Sequence, residues 1–186
     1  MTPLPPWRSP LARALHRNRS LPHLRFVQLA TVDFQGRPHN RTVVYRGLVE
    51  ETHQMQFVTD RRSEKIDHLL HNPWVEVCWY FTKTREQIRF RGTMQIIQIA
   101  SALRQTAWER LSPQAKAQFC WPAPGALRSP DSSLEAPPIL PHPPDTFCLL
   151  LLSVEQVDHL ELRGEPQNRW IHHQVAGQWQ TQAVNP

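Results

Sequence analysis

The stretch FVTDRRSEKIDHLLHNP, Phe57 to Pro73, decides how this chain is read. It opens with the β-formers Phe57, Val58 and Thr59. It closes with Ile66, Leu69 and Leu70 at i, i+3 and i+4, the spacing of an apolar helix face. A strand therefore runs into a helix within a few residues. Ser63 is placed to cap that helix, and Asn72 with Pro73 to stop it. Yet Arg61, Arg62 and Lys65 crowd its first turn. A helix start already carries partial positive charge and unpaired N–H groups, so cations there are locally unfavourable. An added phosphate would turn the cluster into a gain. The competing reading is a solvated basic face.

Working outward, Ser9–Arg19 reads as a helix with Leu11, Ala14 and Leu15 on one side. Leu24–Val32 reads as a strand, then a turn at Asp33–Gly36, a strand over Asn40–Arg46 and another over Met55–Asp60. Beyond the helix, Val75, Val77, Trp79 and Phe81 alternate on one face of a strand. Glu86–Ile97 is a long return strand, with Ile88 and Phe90 on one side and Gln87, Arg89 and Arg91 on the other. Gly92 marks a bulge there. Ala100–Phe119 has helical composition that Pro113 splits. Phe147–Val154 reads as a buried strand, Val157–Leu162 as its continuation, and Arg169–Gln174 with Trp179–Val184 as a closing hairpin. About eight strands and three helices with short connections predict a mainly β chain with a few helices, antiparallel and closed or nearly closed into a barrel.

The whole chain of 186 residues suits one domain. One segment differs: positions 120–146 form a proline-rich loop, with eight of the 18 prolines lying between Cys120 and Pro144. The net charge of +5 suits an anionic partner, whether a phosphorylated small molecule, nucleic acid or an anionic membrane. Cys78, Cys120 and Cys148 form no CxxC pair and are odd in number, which argues against a disulfide framework and for a reducing, cytoplasmic setting. MTPLPPWRSPLARALHRNRS lacks the apolar stretch of a signal peptide and is only weakly like a transit peptide. The longest apolar run, Phe147–Leu152, is too short to span a bilayer. The histidines are scattered, so no metal site is expected. The tryptophans read as core and dimer contacts, and Cys78 as a small buried or interface residue.

Several polar groups lie on neighbouring elements: Arg41 and Arg46 at the ends of RTVVYR, Thr59 at a strand end, Ser63 and Lys65 at the helix start, Gln87 beside Arg89. The order of RTVVYR, FVTDRRSEK, EQIRFRG and a late Arg-bearing strand pair ending VNP resembles the pyridoxamine 5′-phosphate oxidase-related, FMN-binding family, in its cyanobacterial and plant-type branch. The likeness runs in order from about Ser9 to Pro186. It implies an FMN-binding split β-barrel, a homodimer with FMN at the subunit interface, and FMN-dependent oxidoreductase activity. By position it places Arg41, Thr42, Val43, Val44, Tyr45, Arg46, Val58, Thr59, Arg62, Ser63, Lys65, Gln87 and Arg169 at the cofactor. Lys65, Ser63 and Arg41 are expected at the phosphate, Gln87 at the ring, and Arg46 where it would stabilise reduced flavin. No side chain is singled out as a catalytic acid or base.

The chain departs from the family pattern at several positions. Glu64 stands in place of the central Arg of S-R-K, with Arg61 or Arg62 as substitute charges. Leu162 stands where the family has Trp. On the substrate side, Glu165-Pro166-Gln167 replaces R-L-H, and only Trp108, Ser112 and Lys116 fall near the family's middle-helix contacts. The expected activity is therefore on a substrate other than the standard one. The rivals are a non-enzymatic FMN-binding or flavin-storage protein, a nucleic-acid-binding barrel, and a haem-handling relative.

Overall fold

A computed structural model describes residues 4–128 and 140–186. Helix α1 (Arg8–Asn18) leads into strands β1 (Phe26–Val32) and β2 (Pro38–Val44), a two-residue β3 (Gly47–Leu48) and β4 (Met55–Asp60). Helix α2 (Lys65–His71) follows, then β5 (Trp74–Phe81) and β6 (Glu86–Ile97). Helices α3 (Ala102–Glu109) and α4 (Pro113–Ala117) precede the long β7 (Phe147–Glu161), and the hairpin β8 (Asn168–Val175) and β9 (Gln178–Val184) ends the chain. The two helices meet at the expected break, with Pro113 opening α4 and Ser112 capping it. The middle of the proline-rich loop lies outside the described residues.

The sheet runs β2-β1-β5-β6-β7-β4-β3, with β8 and β9 continuing from β7, and every pairing is antiparallel. The two late strands expected at Phe147–Val154 and Val157–Leu162 are one. β7 pairs with β6 along one edge, while its other edge pairs first with β4, from Phe147 to Leu152, and then with β8, from Gln156 to Glu161. The change of partner falls at a bulge. Arg91 faces Gln156 and Gly92 faces Val154, so Glu155 is the extra residue. A Cβ on residue 92 would lie 1.9 Å from the Ser153 carbonyl oxygen, so only glycine fits.

Alternation sorts β7 into two cores. Cys148, Leu150 and Leu152 join Val27, Leu29, Phe57, Val77, Trp79, Ile88 and Phe90 in the main core, which Leu11 of α1 and Trp7 just before it close. Phe147, Leu149 and Leu151 instead meet Trp108, Leu111 and Phe119. Both faces are covered, which explains why this strand is an unbroken apolar run rather than an alternating one.

The barrel is split where β2 gives way to β3. The strand expected to reach Arg46 stops at Val44. The Tyr45 N–H then donates to Arg25 O at 2.8 Å and the Arg46 N–H to Gln56 O at 2.8 Å. Two residues thus carry the chain from the β1 side to the β4 side without a ladder between β2 and β4.

Candidate functional site

A cavity of about 420 Å³ occupies that split. Thr42, Val43, Val44 and Arg46 line one side, and Val58, Thr59, Asp60, Ser63 and Lys65 the other. The third wall is made by Ala115, Gln118, Phe119 and the start of the proline-rich loop, Trp121, Pro122 and Pro124.

Lys65 is the cavity's partly buried ammonium group. Its Nζ donates to Ser63 Oγ at 2.6 Å and Thr59 Oγ1 at 2.9 Å. Burial, and then the charge of Arg41, push its pKa below the usual lysine value. Arg46 is likewise lowered by burial and by Arg25. Its Nε is buried without a hydrogen-bond partner among the described residues, and so is the indole Nε1 of Trp121. Buried N–H donors are normally paired, so two orphans in one cavity call for an acceptor. Among the described residues neither cation forms an ion pair: Asp60, which lines the cavity, is taken by Arg62 through bonds of 3.0 and 2.7 Å, and Glu64 acts on Lys65 only by its charge. The cavity is therefore cationic and donor-rich, and fits an anionic, oxygen-rich group such as a phosphate.

The structure answers the question raised by the basic cluster and corrects parts of its reading. α2 is only seven residues long, and Ser63 does not cap it; its hydroxyl accepts from Lys65 instead. Arg62 is not among the residues lining the cavity: besides holding Asp60, its NH2 donates to Trp121 O at 2.8 Å and so fastens the loop wall. Arg41 turns its guanidinium to the inner face of β2, onto Thr31 Oγ1 at 2.6 Å and the carbonyls of Leu29 and His39. It acts on the cavity only through its charge on Lys65. The Tyr45 side chain points into the core, tilted against Trp79, and burial pushes its phenol up to about 12.

Gln87 and Arg169 do not reach this cavity. Both sit opposite Leu160 of β7, so they share a sheet face. That face is the one carrying Thr42, through the cross-strand row Thr42, Gln28, Cys78, Arg89, Asp158. From β2 to β6 is three strand spacings, about 14 Å along the sheet. Arg169 grips Asp158 with bonds of 3.0 and 2.7 Å, and Arg89 grips the same carboxylate. Burial alone would raise the Asp158 pKa, but the bonds and charges of Arg169 and Arg89 outweigh it and hold it below the usual carboxylate range.

Three further positions prove structural. Trp108 is fully buried and donates to Leu140 O at 3.1 Å. Ser112 caps α4, and the Lys116 ammonium lies 5.4 Å over the Trp108 ring. Trp121 is the wall residue that the sequence reading assigned to packing. Its only signal was its place at the edge of a proline-rich loop.

A family model described as "Pyridoxamine 5′-phosphate oxidase, FMN-binding domain" matches residues 4–98, a span that holds every strand lining the cavity. The chain belongs to this pyridoxamine 5′-phosphate oxidase FMN-binding family. Within the family, it is 36% identical to pyridoxine/pyridoxamine 5′-phosphate oxidase 2 of Arabidopsis thaliana, over 100% of this chain and 99% of that protein. It is 25% identical to the pyridoxine/pyridoxamine 5′-phosphate oxidase of Pseudomonas putida, over 86% of this chain and 77% of that one. A crystal structure of a pyridoxamine 5′-phosphate oxidase-related, FMN binding protein from Nostoc punctiforme superposes with a TM-score of 0.94 at 48% identity, covering 100% of both chains. PhzG of Burkholderia lata shares the fold, with a TM-score of 0.84 at 17% identity over 100% of this chain and 95% of that one. The split-barrel reading of the sequence is thus met. Among the described residues no helix is long and apolar enough to cross a membrane.

Proposed function

We propose that this member of the family binds FMN and works as an FMN-dependent oxidoreductase. The observation that carries the reading is the cavity's unmatched donor set: the Lys65 ammonium, the Arg46 guanidinium with its orphan Nε, and the Trp121 indole N–H. Lys65, Ser63, Thr59 and Arg46 hold the phosphate, and charge-assisted bonds of this kind contribute about 1.5–3 kcal/mol each. Thr42, Val43, Val44 and Val58 wall the cofactor, and Arg41 adds charge from behind. Bound FMN supplies the redox chemistry; the protein supplies position, exclusion of water and positive charge.

The protein works as a homodimer with FMN at the subunit interface. Support comes from the three strand spacings between β2, which lines the cavity, and β6, which carries Gln87: one copy holds the phosphate, and the outer face of a second supplies Gln87 and Arg169 to the ring. That face is well suited to burial, with Phe26 and Tyr80 about half exposed on it. The substrate is not pyridoxamine or pyridoxine phosphate. The loop where the family carries R-L-H is Glu165-Pro166-Gln167, all exposed, and its neighbour Arg163 donates to the Lys83 carbonyl at 2.7 Å. The same absence of phosphate-gripping charge motivates the second reading, a flavin carrier without turnover.

The visible spectrum of the purified protein, followed by acid release of the chromophore, tests the cofactor. One FMN per chain is expected; a colourless protein that also fails to take up added FMN would sink the proposal. Oxygen consumption with pyridoxamine 5′-phosphate and with other amines and reductants then separates enzyme from carrier. Efficient turnover of pyridoxamine phosphate would overturn the substrate reading.

A further inference from the structure

Behind the cationic cavity, on the inner side of β2, a second polar cluster joins three elements. His39 of β2, Glu64 just before α2 and His68 within it each offer one ligand atom, all within 4.8 Å of one another. Glu64 Oε1 lies 3.2 Å from His39 Nδ1 and 3.2 Å from His68 Nε2. The cluster is a product of topology: Glu64 and His68 are one helical turn apart, and α2 packs on the strands so that the two imidazole centroids lie 4.5 Å apart.

The outer hydrogen bonds decide what this cluster can hold. His39 Nε2 lies 3.2 Å from Asp33 Oδ2. Asp33 is itself fixed, its Oδ1 accepting from the N–H groups of Gln35 and Arg37 at 2.8 and 2.9 Å. An ionised carboxylate only accepts, so His39 Nε2 carries a proton. In the neutral ring Nδ1 is then a lone pair, and it faces another acceptor, Glu64 Oε1. Two acceptors aimed at each other need a proton or a cation between them. On the other side, His68 Nδ1 lies 3.0 Å from Thr31 Oγ1, which also accepts from Arg41 at 2.6 Å; with an ion on Nε2, Nδ1 would donate to the second lone pair of that oxygen. Each imidazole has an outer partner at the nitrogen that points away from the shared space, Asp33 for His39 and Thr31 for His68, the placement that outer partners of metal-binding histidines have.

The spacing also suits an ion. Bonds of about 2.0–2.2 Å to nitrogen and oxygen in a tetrahedron put neighbouring ligand atoms about 3.3 Å apart. Two carboxylates, Asp33 and Glu64, outnumber the one guanidinium beside them, that of Arg41, which is bound to Thr31. His68 is buried, His39 half-buried, and the Glu64 side chain 66% exposed, so one position faces water.

We propose that His39, Glu64 and His68 bind a divalent ion of the zinc class, with water as the fourth ligand. Two imidazoles and a carboxylate are a donor set for zinc and its neighbours rather than for calcium or magnesium. The ion would pin β2 to α2 behind the cavity. This site is separate from the flavin reading and does not depend on it.

The test uses the full chain, stripped with a chelator and titrated with Co²⁺ followed by visible absorption, then with Zn²⁺ in competition. One Co²⁺ per chain with the intense bands of four-coordinate cobalt is expected, bleached by one equivalent of Zn²⁺. His39→Ala and Glu64→Gln, both at solvent-reached positions, should each abolish those bands while keeping the circular dichroism of the parent. Asp33→Asn should weaken binding roughly 10–100-fold, as loss of an outer partner does. The absence of stoichiometric binding would overturn the proposal. So would a pale six-coordinate spectrum that the two variants leave unchanged, which would assign binding to other histidines and leave an imidazolium between Asp33 and Glu64. Neither result bears on FMN content, which is read separately.

Discussion

Two basic regions of the molecule behave in opposite ways. In the split of the barrel, Lys65 is partly desolvated and bonds two hydroxyls, and the Arg46 Nε has no partner among the described residues. On β6 and β8, Arg89 and Arg169 close on Asp158, and Arg89 also reaches Glu76 at 3.3 Å. The residue types are similar; the difference is whether an acid is supplied. Where the fold provides the carboxylate, the arginines hold strands together. Where it withholds one, desolvated charge is left without an ion pair for a ligand to satisfy; an unpaired donor alone does not separate the two regions, since Arg89 Nε is one as well as Arg46 Nε.

Variants can break this division. Lys65→Met should cost the most, about 3 kcal/mol or roughly 100-fold in FMN affinity. The stability of its ligand-free form should equal or exceed that of the parent, because a desolvated ammonium is removed. Fluorescence titration with FMN and urea unfolding measure the two; a parallel loss of both would show that Lys65 is structural. Asp158→Ala should do the reverse. It strands two guanidiniums that remain about a third exposed, so the loss of folding stability should be about 2 kcal/mol, below the figure for a fully buried pair. Phosphate-site affinity, read with inorganic phosphate as competitor, should be unchanged.

Protonation sharpens the same contrast. Lys65 has a lowered pKa in the free protein, through burial and then Arg41, and a bound phosphate would raise it. FMN affinity should thus be full below the free-state pKa of Lys65 and fall above it, by up to about tenfold per pH unit. Lys65→Met should flatten that alkaline limb. The Asp158 pKa is depressed, so its contribution to stability is present above the unfolded carboxylate value and is lost as pH falls through the folded one. An acid unfolding curve of Asp158→Ala shallower than the parent's is the expected sign. The smallest effect belongs to Ser63→Ala, about 1 kcal/mol or roughly fivefold in affinity, with no change in salt dependence; a change as large as that of Lys65→Met would mean that Ser63 organises the site.

Much of the cavity could be read from order along the chain. RTVVYR and FVTDRRSEK contribute Thr42, Val43, Val44, Arg46, Val58, Thr59, Ser63 and Lys65 to one space. What could not be read was direction. Tyr45 and Arg41 belong to the same motif but turn inward, because alternation and the turn after Val44 set each side chain's face. Arg62 looked like a phosphate ligand because its partner, Asp60, is two residues away and its second contact, Trp121, is 59 residues away. His39 and His68, far apart in sequence, meet once α2 packs against β1.

The sequence by itself determined the strand and helix content, the antiparallel barrel and the basic character of one strand-to-helix junction. Local periodicity and charge are properties of short segments, and short segments carry them openly. Only the tertiary structure decided which cations would be paired and which left free, that β7 is one strand changing partners at a bulge, and that Trp121 closes the cavity. Those outcomes depend on contacts between residues far apart in the chain, and pairing across such distances is fixed by packing and register, which no local pattern contains.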